Sequence, residues 1–187
     1  AIGDAPLQPS YTRLWSSFSK EFSKINTEDF ETVLALLKKY TSTIPSAVYV
    51  SKSDVSLYNH AKTTSALATC RYLFSMQSDD KLLKTDNQNV YLTINGDISG
   101  IQSFIYKITS PAEAQSGMSK RLRGRSLYIS LLTEAIAYKI IKDLDLTSAN
   151  ILFCGGGRFT IIAPNTKETL TTLEQLKKQI NKFFIKN

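Results

Sequence analysis

Gly96-Asp97-Ile98-Ser99-Gly100 stands where an alternating apolar pattern gives way to a helical one. A strand-to-helix turn leaves backbone N–H groups without partners, and glycine there lets an anion come close to the chain. The segment therefore suits a phosphate. It equally suits a plain helix start, in which Asp97 or Ser99 caps the helix and the glycines only make the turn. A carboxylate directly after a core strand can also hold a divalent metal when further acids stand on the neighbouring hairpin. The hairpin further on, Gly155-Gly156-Gly157-Arg158, offers no acid. Two-metal catalysis is not expected within this half, and Arg158 is left facing either a phosphate or solvent.

Ser119-Lys120-Arg121-Leu122-Arg123-Gly124-Arg125-Ser126 places four cations at the start of a helical pattern. Cations there oppose the helix dipole, so an anionic partner such as an RNA backbone would offset an unfavourable placement. The alternative is a solvated basic turn. No aromatic interleaves within the cluster, so base stacking is not indicated there. His60 is the sole histidine, which excludes a Ser-His-Asp set or a multi-histidine metal site within these residues. Asp54 would most simply cap the helix that carries it. Cys70 and Cys154 lie far apart, with neither zinc nor disulfide spacing, and read as buried thiols of a cytoplasmic protein.

The elements that must hold these residues follow from periodicity. Trp15, Phe18, Phe22 and Ile25 recur at helical steps, as do Phe30, Val33, Leu34, Leu37 and Tyr40 after Thr27-Glu-Asp. Pro45 ends the second pattern, Ala47–Val50 reads as a short extended stretch, and a third helix is expected over 54–74. The polar stretch Ser75–Asn89 suits a linker, with a boundary near Thr85. Val90, Leu92 and Ile94 then alternate as a strand does. Ile98, Ile101, Phe104, Ile105 and Ile108 return to helical spacing, Ser110–Ser119 is a loop, and 120–144 is a long helix. Its Leu127, Leu131, Ala135 and Tyr138 stripe, beside Tyr128, Leu132, Ile136 and Ile140, is broad enough to be expected against a sheet. Ile151–Cys154 and Phe159–Ala163 form a hairpin through the three glycines, and 167–185 is a last helix.

The fold class expected is α+β. An N-terminal helical region is followed by a ferredoxin-like β-α-β-β-α unit without its last strand, which leaves the first strand with an unpaired edge. The 187 residues carry 23 Lys+Arg against 16 Asp+Glu, and the charge is uneven, +2 up to residue 85 and +5 beyond it. Any phosphate or nucleic-acid preference should then lie in the second half. At 42% apolar and 21% charged, with no apolar run of membrane length, bulk disorder and a helical membrane span are excluded. The start at Ala1 suggests a piece of something longer.

Three segments together carry a resemblance. Gly96-Asp-Ile-Ser-Gly-Ile-Gln-Ser-Phe-Ile-Tyr106, Ser119-Lys-Arg-Leu-Arg-Gly-Arg-Ser126 and Phe153-Cys-Gly-Gly-Gly-Arg-Phe159 resemble the first palm domain of the large subunit of type III-A CRISPR (Csm) effector complexes. Upstream, Asp54-Val-Ser-Leu-Tyr-Asn-His60-Ala-Lys-Thr-Thr-Ser-Ala resembles the segment before that palm, so the likeness runs from about residue 40 to the end.

The resemblance implies a subunit with an HD-type single-stranded DNA nuclease and a palm-based synthase that turns ATP into cyclic oligoadenylates when target RNA is bound. It implies residues 1–85 as the C-terminal part of an HD-type domain and 86–187 as the first palm. Gly96, Asp97, Ile98, Ser99 and Gly100, with Gly155, Gly156 and Gly157, would supply a non-catalytic wall of the ATP pocket. Lys120, Arg121, Arg123 and Arg125 would meet phosphate or RNA backbone. Mg or Mn would be held mainly by parts outside these residues, since the acidic hairpin of the synthase belongs to the second palm. His60 is a candidate for the first HD-type metal ligand, although Asn59-His60 stands where the family often has Asp-His. The implied partners are the rest of the subunit, the other Csm subunits, CRISPR RNA, target RNA and single-stranded DNA, with no membrane. The competing readings are an RNA-binding ferredoxin-like module, for which Tyr91 and Phe159 are the available sheet-face aromatics, and a purely structural palm.

Overall fold

The computed structural model describes residues 7–46, 54–77, 89–107 and 117–186. The expected extended stretch Ala47–Val50, most of the polar stretch 75–89 with the boundary at Thr85, and most of the loop 110–119 lie outside them. The elements are α1 (Leu7–Phe22), α2 (Phe30–Thr41), α3 (Leu57–Gln77), β1 (Tyr91–Asp97), α4 (Ile101–Tyr106), α5 (Met118–Asp143), a 3-10 turn (Ser148–Asn150), β2 (Ile151–Gly155), β3 (Arg158–Pro164) and α6 (Lys167–Lys186). The chain divides into two compact units, Ala1–Ser65 and Ala66–Asn187, with the division inside α3.

In the first unit, aromatic spacing on α1 becomes an aromatic ladder. Trp15, Phe18 and Phe22 stack at 5.7 and 5.3 Å between centroids, and Tyr40 of α2 meets Phe18 edge-on at 5.9 Å. Offset and edge-on ring pairs are the favoured arrangements of the aromatic quadrupole. Glu21 ties the two helices at their polar margin, accepting from the Tyr40 hydroxyl and the Lys39 ammonium, each at 2.7 Å. Those two donors, Lys39 foremost, hold the Glu21 carboxyl below its usual range. Asp29 caps α2, its Oδ1 accepting the Thr32 N–H at 3.2 Å. Asp54 does not cap α3. Ser56 does, with its Oγ accepting the Asn59 N–H at 3.2 Å, because the helix begins only at Leu57.

The second unit is built on a three-stranded antiparallel sheet of order β1-β3-β2. This is the expected ferredoxin-like unit, with no strand on the far side of β1 among the described residues. Ala137, Ile140 and Ile141 of α5, Leu176 of α6, and Ile151, Phe159 and Ile161 of the sheet form the core, with Ile94 and Leu173 packed against it. Thr166 caps α6, its Oγ1 accepting the Thr169 N–H at 3.1 Å. The Leu127, Leu131, Ala135 and Tyr138 stripe does not pack on the sheet as expected. It is exposed, while of the adjoining residues Ile140 is buried and Ile136 packs against the core as expected, and α5 also buries Ile129, Thr133, Ala137 and Ile141. Two stripes less than half a turn apart are each apolar enough to serve, and the small Thr133 and Ala137 allow the closer approach.

Asn150 is a fully buried polar group with a complete set of partners. Its Nδ2 donates to the Ile162 carbonyl at 3.0 Å and reaches the Ala66 carbonyl and Cys70 Sγ at 3.4 Å, and its Oδ1 accepts from Thr147. A satisfied network of this kind fixes one arrangement of the elements it joins.

Candidate functional site

The register of β1 on β3 brings the two glycine segments to one end of the sheet. Gly96 lies opposite Phe159 and Asp97 opposite Arg158, and the Ile98 N–H donates to the Gly157 carbonyl at 2.9 Å. The loop 96–100 and the hairpin 155–157 are therefore one continuous surface of backbone.

The glycines of that surface have two different causes. A Cβ on Gly96 would lie 2.1 Å from the Phe159 ring, and one on Gly157 would lie 2.0 Å from Ile101 Cδ1. Gly96 is required by packing against the ring, whereas Gly157 is required by its φ of +85°, the Ile101 methyl being the movable end of a side chain. Gly100 (φ +74°) and Gly156 (φ +60°) have nothing within 4 Å of a Cβ position, so they are required by left-handed backbone alone and face open space. Gly100 is the residue before α4, and neither Asp97 nor Ser99 caps that helix. The capping alternative is thereby set aside. Asp97 instead accepts a hydrogen bond from Arg158 Nε at 2.9 Å, an ion pair with side chains 61% and 72% exposed. Arg158 faces this carboxylate, and neither a phosphate nor bare solvent is needed to explain it.

The four cations at the start of α5 do not act alike. Lys120 and Arg123 are exposed and Arg121 is half-buried. Arg125 turns inward, its Nη1 donating to the carbonyls of Ile105 at 3.1 Å and Lys107 at 2.5 Å, with its guanidinium carbon 5.9 Å from the centre of the Phe104 ring. The aromatic pair that stacking of RNA bases would need does not form, because Phe159 is buried in the core while Tyr91 is exposed.

His60 is exposed on α3, and no group of three or more metal-ligating side chains occurs among the described residues. Cys70 is buried and Cys154 half-buried, both as free thiols. Burial pushes the Cys70 thiol from 9.0 up to about 11, and burial with the nearby Glu134 charge raises that of Cys154. No helix among the described residues is long and apolar enough to cross a membrane.

A cleft of about 720 Å³ adjoins the glycine loop on the helical side of β1. Its walls are mainly Ile94, Ile140, Phe159, Leu176 and Phe184, with Lys177 and Asn181 as polar members beside Gly96, Asp97 and Ser99. Lys177 and Asn181 are absent from the sequence expectations, although with Phe184, which belongs to the apolar pattern of α6, they recur at four and three residues on one face, which is the signal that groups them.

The family described as Csm1 subunit domain B matches residues 90–187. A relative from Methanocaldococcus jannaschii, described as the CRISPR system single-strand-specific deoxyribonuclease Cas10/Csm1 (subtype III-A), is 35% identical over 92% of this chain and 24% of its own length. The chain thus spans about a quarter of that relative. The crystal structure of Csm1 from T. onnurineus superposes with a TM-score of 0.75 at 34% identity, over 89% of this chain and 22% of that one. A Csm1-Csm4 cassette solved with one ATP gives a TM-score of 0.72 at 32% identity, over 89% of this chain and 22% of its own. The same kind of cassette with cA4 gives 0.72 at 33%, over 88% and 21%.

Proposed function

The chain belongs to the Csm1 family, with residues 90–187 matching that subunit's domain B, and on that premise we propose that it is the part of a type III-A CRISPR large subunit that walls an ATP site. In the whole subunit, ATP would be turned into cyclic oligoadenylate, and single-stranded DNA would be cut by an HD-type centre, in response to target RNA. Residues 86–187 would be the first palm and 1–85 the C-terminal part of the HD-type region. The observation that carries the reading is the meeting of loop 96–100 with hairpin 155–157, which leaves the backbone of Gly100 and Gly156 open. Exposed N–H groups on left-handed backbone donate to phosphate oxygens without a side chain in the way. The six residues of α4 are too few for a strong helix dipole, so the backbone itself is the cradle.

One Csm1-Csm4 cassette is solved in complex with one ATP and another with cA4, which supports nucleotide binding, and Gly96, Asp97, Ile98, Ser99, Gly100, Gly155, Gly156 and Gly157 are the residues of this chain that would meet it. The residues present fit a nucleotide wall and do not fit a metal centre, because Asp97 is the single acid of the loop and hairpin and it faces Arg158. Mg or Mn would be held by parts of the subunit beyond this chain, and His60 would contribute to an HD-type centre only with ligands from elsewhere. Lys120, Arg121 and Arg123 are the cations open to phosphate or RNA backbone, with Csm4 and the other Csm subunits, CRISPR RNA and target RNA as partners of the whole. Alone, this chain would carry no activity.

The test is Ser99→Asp and Gly156→Glu in the full-length subunit. Either adds a carboxylate where a triphosphate would lie and is expected to suppress oligoadenylate synthesis by at least about tenfold, with assembly with Csm4 retained. Wild-type synthesis by either variant would overturn the reading.

A further inference from the structure

A helix of six residues has almost no stability of its own, since nucleation costs more than so few bonds return. α4 is such a helix, and it leaves directly from the loop 96–100. Its beginning is fixed by the Ile98 N–H on the Gly157 carbonyl and by Ile101 against Gly157. Its end is held from another element. Arg125 of α5 donates from one nitrogen to the carbonyls of Ile105 and Lys107, at 3.1 and 2.5 Å, and lies over Phe104, whose ring in turn meets Tyr128 at 5.8 Å. The last carbonyls of a helix have no internal partner, and a cation at that end also complements the backbone dipole. No basic residue of α4 itself serves there.

We infer that Arg125 is a positioning residue: its guanidinium holds the C-terminal end of α4 and so sets the loop 96–100 in the geometry that meets nucleotide. The inference rests on the nucleotide-wall reading for its functional half, while its structural half stands on the Arg125 contacts alone. It separates Arg125 from Lys120, Arg121 and Arg123, although all four sit in one basic run. A lysine would serve in part, because an ammonium can donate to both carbonyls but has no planar face to lie over the Phe104 ring.

The experiment uses the full-length subunit as wild type, Arg125→Ala, Arg125→Lys and Lys142→Ala. Amide hydrogen exchange over residues 96–106 is measured without nucleotide, and oligoadenylate synthesis is measured across ATP concentration. Arg125→Ala is expected to raise exchange over 101–106 about tenfold and the KM for ATP about tenfold, with kcat within about twofold of wild type. Arg125→Lys is expected to fall between, and Lys142→Ala to change neither.

Exchange at the wild-type level in Arg125→Ala overturns the inference, as does a fall in kcat with KM unchanged. Should Arg125→Ala fail to fold, the same split in Arg125→Lys decides. If wild type makes no oligoadenylate, the nucleotide reading fails, and exchange over 101–106 still decides whether Arg125 holds α4.

Discussion

The end of the sheet where loop 96–100 meets hairpin 155–157 and the start of α5 both drew notice as runs of one residue type, glycine in the first and cation in the second. At the sheet end four of the five glycines have a structural reason, a ring in the way of a Cβ at Gly96 and a left-handed φ at Gly100, Gly156 and Gly157, while Gly155 has neither. At the start of α5 the four cations divide between outward and inward, and nothing in their order marks Arg125 as the one that turns. Backbone requirements are local and survive in sequence. The destination of a long flexible side chain is set by whatever lies opposite, and it does not.

The largest effect that would test this contrast is Gly96→Ala. Its Cβ would enter the Phe159 ring in the core, and a loss of about 3 kcal/mol in urea unfolding is expected. Gly156→Ala should cost about 1 kcal/mol, because it strains φ and meets no atom. Equal losses would erase the distinction between packing and conformational glycines. On α5, Leu131→Gln is expected within about 0.5 kcal/mol of wild type, as Leu131 is 56% exposed. Asp97→Asn should be similarly small in stability, since the pair with Arg158 is exposed and screened.

Thiol chemistry reads the contrast without a substitution at either region. A neutral-pH thiol reagent should label Cys154 while leaving Cys70 intact in the native protein. The raised Cys70 value means that folding favours its protonated form. That contribution is whole below pH 9 and is lost as pH rises toward about 11, so native stability should fall over that window, and less so in Cys70→Ala.

Much of the fold was legible. Alternation marked β1, the triple glycine marked the hairpin, and the helical steps of Phe30–Tyr40 and Leu170–Phe184 marked α2 and α6. The inward face of α5 was misjudged because Leu127 and Leu131 outrank Thr133 and Ala137 in hydropathy, whereas closeness of approach to the sheet selects the smaller pair. Asp54 and Ser56 are both capping residue types, and only the start of the helix at Leu57 selects Ser56. The loop and hairpin were each visible, and their junction through Ile98 and Gly157 was not, since pairing across 61 residues between Asp97 and Arg158 leaves no local trace.

Asn150 bears on the order in which this chain can acquire its shape. The residues it joins are separated by 84 positions to Ala66 and 80 to Cys70, but by only 12 to Ile162. During synthesis the second half of α3 emerges ahead of Asn150 by roughly 4–17 s at cellular elongation rates. Over that interval Ala66 and Cys70 have no partner from the hairpin, and the small sheet must close before the helix can be fastened to it. A chain arrested before Asn150 would hold α3 without its fastening, a vulnerability to proteolysis that disappears once a few more residues are made.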